Sequence, residues 1–148
     1  MKAVSFALAA FLLLACQNGR SQTMGAGAVT GENAKYYSVQ ISPAEVPAST
    51  EASVVVAIVP ASGWKWNAEY PAKFKLSSAD GVKLGKSEFS TRSGDVQADK
   101  DATRLSVPGV VAGAGAHSID VTGSFSVCNE TSCKIMRDEK FTLALTGR

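Results

Sequence analysis

The chain has 148 residues, 45% of them hydrophobic and 19% charged, a balance that suits one folded domain behind a leader and excludes overall disorder. Lys and Arg total 15 against 13 Asp and Glu, for a formal net charge of +2, and Lys2 and Arg20 lie outside the expected domain. No field remains that would draw nucleic acid, so no nucleic-acid partner is expected.

Residues Met1 to Ala15 place one positive charge, Lys2, before an apolar run that ends in a small residue, which is the pattern of a signal peptide. About 12 apolar residues fall short of the roughly 20 that a membrane-spanning helix requires. The end of the run, Leu13-Leu14-Ala15-Cys16, resembles the lipobox of bacterial lipoproteins. That resemblance implies cleavage before Cys16, diacylglycerol on its sulfur and attachment to a membrane through the lipid. Gln17 stands where an inner-membrane retention signal carries Asp, which implies an outer-membrane lipoprotein facing the periplasm. Gln17 to Lys35 is built mostly of Gly, Ser, Ala, Asn, Gln and Thr without apolar periodicity, so residues 16–35 are expected to form a lipidated, flexible tether. About 19 such residues reach roughly 25 Å.

Residues 36–148 are expected to be the domain, and their apolar residues alternate. Tyr37, Val39 and Ile41 open the series, Ser53 to Val59 is a β-branched run, and Lys73 to Leu76 and Val82 to Phe89 alternate again. Arg104 to Val107 follows, then a long segment from Ile119 to Val127, and Phe141, Leu143 and Leu145 close it. A period of two means strands, and turn-rich pieces such as Pro60-Ala61-Ser62-Gly63 and Gly113-Ala114-Gly115 separate them. About seven or more strands without helical spacing predict an all-β antiparallel sandwich, with a small barrel as the alternative.

Lipid on Cys16 leaves Cys128 and Cys133 as the two thiols of an oxidising compartment, and two make a bridge. Phe125-Ser126-Val127-Cys128 runs into the polar loop Asn129-Glu130-Thr131-Ser132 and returns through Cys133-Lys134-Ile135, which suits a hairpin with the cysteines opposed. Closing a ring of about six residues is worth roughly 2 kcal/mol of unfolded-state entropy, the low end for a stabilising bridge. A short bridge at a hairpin tip is instead open to attack by another protein's thiolate. Lys134 beside Cys133 would make Cys133 the better leaving group and direct attack to Cys128.

Over most of the mature domain the sequence resembles the N-terminal periplasmic domain of the DsbD thiol:disulfide interchange proteins. The likeness runs from Ser53 to Val59 through Gly63-Trp64-Lys65-Trp66, Lys73-Phe74-Lys75-Leu76, Gly81-Val82-Lys83-Leu84 and Lys86-Ser87-Glu88-Phe89. It continues through Leu105-Ser106-Val107-Pro108 and the cysteine hairpin to Lys140-Phe141-Thr142-Leu143. The resemblance implies an immunoglobulin-like sandwich in which Cys128 and Cys133 form a redox pair. Their partner would be a periplasmic thioredoxin-fold protein or a membrane redox protein. Here the spacing is Cys-x4-Cys, one residue shorter than in the well-known enzymes, and Ser93 to Ala98 stands in place of their cap loop.

Trp64, Trp66 and Tyr70 are candidates for shielding the disulfide or binding a peptide or sugar, against core packing. His117 has no nucleophile near it in sequence, and Asp95, Asp99 and Asp101 match no calcium loop, so a solvated turn is expected there. Two cysteines and one distant histidine fall short of a zinc site, and neither metal nor cofactor is expected. Two functions follow: a membrane-tethered thiol–disulfide exchange module, or a non-enzymatic envelope-binding lipoprotein whose disulfide is only structural.

Overall fold

The computed structural model describes residues 23–29, 32–78, 81–99 and 101–148. The leader, the lipobox with Cys16 and the first part of the expected tether lie outside the described residues. In chain order come β1 (Gly25–Val29), a 3-10 turn (Glu32–Lys35), β2 (Tyr37–Ser42), β3 (Glu45–Val46) and β4 (Glu51–Pro60). They are followed by β5 (Lys65–Trp66), β6 (Lys73–Ser78), β7 (Val82–Leu84), β8 (Glu88–Ser90) and β9 (Val96–Ala98). The chain closes with β10 (Thr103–Val111), β11 (Gly115–Cys128) and β12 (Cys133–Gly147).

The hydrogen-bonded path β7-β10-β4-β2-β1-β12-β11-β6-β8 curls into an all-β sandwich, antiparallel apart from the short parallel pair of β3 with β12 and the parallel bridge between Ala48 and Val111. Its two halves face each other across one core, because each strand turns its alternate apolar side chains inward. Val39, Ile41, Val56, Ile58, Leu105 and Val107 come from one half, and Phe74, Leu76, Ile119, Val121, Phe125 and Leu143 from the other. Tyr37 of β2 and Phe125 of β11 meet across the layers edge to face, with ring centroids 5.0 Å apart.

The expected tether is corrected in part, since Gly25–Val29 is not a free linker but the strand that joins the two halves. It pairs with β2 through Gly25↔Ile41 and Gly27↔Val39 and with β12 through Gly27↔Leu143 and Val29↔Phe141. Glycine here provides close approach rather than flexibility. A Cβ on Gly27 would lie 3.0 Å from Leu143 Cδ2 and 3.1 Å from Val39 Cβ.

One irregularity in the central hairpin decides which residues of its outer half face in. Gly123 pairs with Glu139 and Phe125 with Met136, so Ser124 alone opposes both Arg137 and Asp138. This is a β-bulge on β12, with Asp138 in the left-handed region at φ 51° and its N–H donating to Ser124 Oγ at 3.1 Å. Below the bulge odd residues point inward (Phe141, Leu143, Leu145); beyond it the buried residue is Met136. Cys133 and Ile135 are thereby turned to the outer face, where both are exposed.

Next to the bulge, the buried Tyr37 hydroxyl donates to Glu139 Oε1 at 2.9 Å, and Asn33 Nδ2 donates to Glu139 Oε2 at 2.7 Å. Burial first, then the hydrogen bond to Glu139 and its charge, pushes the phenol well above its ordinary value. The folded state therefore keeps a proton that the unfolded chain releases above about pH 10. The stabilisation is complete below that pH and is lost as pH rises beyond it. Wild-type protein is expected to lose stability between about pH 10 and 11.5 more steeply than Tyr37→Phe. Denaturant midpoints across that range check this, and parallel slopes would refute it.

Candidate functional site

Cys128 ends β11 and Cys133 begins β12 as its direct register partner, with Cα atoms 4.0 Å apart and the disulfide formed. The loop between them is held by one residue. Asn129 Oδ1 accepts the backbone N–H groups of Thr131 and Ser132, at 3.0 and 2.8 Å, and both of their hydroxyls. The Asn129 N–H donates back to the Ser132 carbonyl. An Asx turn of this kind replaces backbone pairing with side-chain acceptance, so the tip is ordered by its own sequence. The two cysteines are not equivalent in exposure: Cys128 is half-buried and Cys133 is exposed.

On its other edge β11 pairs with β5, setting Val127 against Trp66 and Cys128 against Lys65. Cross-strand partners share a face, so Lys65 stands on the disulfide side and the flanking tryptophans on the other. Trp66 is buried and stacked on Phe125, with centroids 5.5 Å apart. Trp64 meets Tyr36 edge to face at 4.9 Å. Core packing, rather than cover for the sulfurs, is thus what Trp66 does. Tyr70 is half-buried in a turn, its N–H donating to the Asn67 carbonyl.

Lys134, expected from sequence to act on Cys133, projects to the opposite face and places Nζ 5.4 Å from the centroid of the Tyr36 ring. Lys35 approaches the same ring at 5.2 Å. The residues that sequence reading missed here are Lys65, Tyr36 and Asn129. A signal for the first was present: two inward tryptophans in Trp64-Lys65-Trp66 force the lysine between them outward.

A surface depression beside the bridge is bordered by Pro60, Gly63, Lys65, Asp101, Cys128 and Glu130. Ser93 and Asp95 line a different groove with Lys73, Lys75 and Lys86. Asp95 accepts from Lys86 at 2.7 Å and from Ser93, and these hydrogen bonds hold its carboxyl below the usual range. Asp99 accepts the N–H groups of Ala102 and Asp101 and the Arg104 guanidinium, each at 2.8 Å, and is lowered by the Ala102 bond first. The aspartates are accordingly turn and ion-pair residues. His117 Nε2 bonds the Gly113 carbonyl at 2.9 Å, bracing the turn between β10 and β11.

No protein-family model and no curated protein matches the sequence. Among solved structures, the GAE domain of GGA2p from Saccharomyces cerevisiae is similar at a TM-score of 0.37 and 12% identity, covering 82% of this chain and 96% of that one. Among the described residues no helix is long and apolar enough to cross a membrane.

Proposed function

We propose that the domain exchanges its Cys128–Cys133 disulfide with the thiols of a partner protein while lipid on Cys16 holds it at the periplasmic face of the outer membrane. The observation that carries this reading is the position of the bridge. It closes the tip of a hairpin whose arms are also paired through β11 and β12 and whose loop is also ordered by Asn129, so the hairpin has holding contacts besides it. A short bridge at a hairpin tip, with one of its cysteines exposed, is suited to chemistry. The likeness of the sequence to DsbD-type domains supports the same role and a thioredoxin-fold or membrane redox partner.

Exposure favours Cys133 as the sulfur attacked, in place of Cys128 as the neighbouring Lys134 suggested. A partner thiolate bonds to Cys133 Sγ, the bridge breaks, and Cys128 leaves with the electron pair. The partner's second thiolate then attacks the partner's sulfur in the mixed disulfide and releases Cys133. The domain gains two electrons and two protons, and the partner's dithiol becomes a disulfide. The sulfurs carry the electrons themselves.

The test is to trap Cys128→Ser and Cys133→Ser separately with a periplasmic thioredoxin-fold protein that lacks its resolving cysteine. Capture of the variant retaining Cys133 is the expected result. Absence of capture by either, together with a reduction potential well below about −300 mV, would leave the bridge structural and the domain a binding module.

A further inference from the structure

Resting on that reading, we propose that Lys65 is the positioning charge of the exchange reaction, stabilising Cys128 as a thiolate when the bridge opens. Three observations converge on it. Lys65 is the register partner of Cys128, so the two Cβ atoms share one face of the sheet. Both residues border the same surface depression, and Lys65 is exposed, with no carboxylate partner among the described residues. The nearest lysine in sequence, Lys134, is drawn to the opposite face by the Tyr36 ring.

The charged groups around Cys128 are few. Lys65 faces it from β5, and Glu130 of the hairpin loop and Asp101 before β10 border the depression. Neither carboxylate lies in a strand paired with a cysteine. Lysine at this register position has two consequences. It lowers the proton affinity of the Cys128 thiol, and it makes Cys128 the better leaving group, which directs the incoming thiolate to Cys133. The charge and the exposure therefore act in the same direction. A unit charge about 6 Å from the sulfur in a water-like dielectric changes such an equilibrium by about threefold.

The proposal is tested in the Cys133→Ser protein, where Cys128 is a free thiol whose alkylation rate follows its thiolate fraction. Adding Lys65→Gln is expected to slow alkylation by iodoacetamide at neutral pH about threefold and to move the pH profile upward. Lys65→Arg should restore the rate, and Lys134→Gln should leave it unchanged. High salt should shrink the difference between Lys65→Gln and its parent. An unaltered profile in Lys65→Gln, or an equal effect of Lys134→Gln, would overturn the proposal. Failure of the exchange reading has a different signature: the alkylation profile still answers to Lys65, but no mixed disulfide forms with a thioredoxin-fold protein.

Discussion

Phe125→Ala is expected to lower the unfolding free energy by about 3–5 kcal/mol, the range for removing a fully buried phenylalanine. Phe125 has 0% exposure and is the common neighbour of three rings: Tyr37 edge to face at 5.0 Å, and Trp66 and Phe74 stacked at 5.5 and 5.8 Å. Each contact comes from a different strand, namely β2, β5 and β6, so the side chain ties the two halves and the short edge strand together. Truncation leaves a cavity that three rigid rings cannot readily fill, and the loss exceeds the transfer term alone. Denaturant unfolding checks it, with Ile135→Ala as control, because Ile135 is 43% exposed and should change stability by less than about 0.5 kcal/mol. A loss below about 1 kcal/mol for Phe125→Ala would show that the ring cluster is not the centre of the core.

A chain begun at residue 36 is expected to be unfolded or aggregated under conditions in which one begun at residue 23 folds. Removing β1 breaks two antiparallel ladders together, those to β2 and to β12, and leaves the halves linked through the short segment of β3 and Ala48, which pairs with β12 and bridges to Val111 of β10. About five backbone hydrogen bonds at roughly 1 kcal/mol net each approach the whole stability of a small domain. Two inner edges would also lie open to pairing with other chains. Far-ultraviolet circular dichroism and sedimentation of the two proteins decide the matter. Equal stability and equal monomer content would return residues 23–35 to the status of a linker.

The difference between these two predictions shows what the sequence discloses. Strands whose inward residues are large announce themselves by alternation, as at Tyr37, Val39 and Ile41 or at Phe141, Leu143 and Leu145, and the all-β class with its cysteine hairpin is legible for that reason. β1 is invisible to that test because its inward positions are Gly25 and Gly27, wedged against Val39, Ile41 and Leu143. Its signal is the absence of a side chain where two neighbours need the room, which composition alone reads as flexibility. β3 and β5 are only two residues long, too short to show any period, and β9 adds three more against β10. At the site, the pairing of Cys128 with Cys133 was legible and the surroundings were not. Which lysine serves the disulfide depends on register between Lys65 and Cys128, far apart in sequence, and on a bulge that inverts the parity of β12.

That bulge makes β12 a ribbon written in two reading frames. On one side of Arg137 and Asp138 the odd positions belong to the interior, and on the other the even ones do. Residue identity there is loosely constrained, since both positions are exposed. Deleting either one would leave a single residue opposite Ser124 and merge the two frames, with Met136 still inward and Cys133 and Ile135 still outward. A variant lacking Asp138 is therefore expected to keep the hairpin tip facing as it does and to lose only the local bend of the bulge.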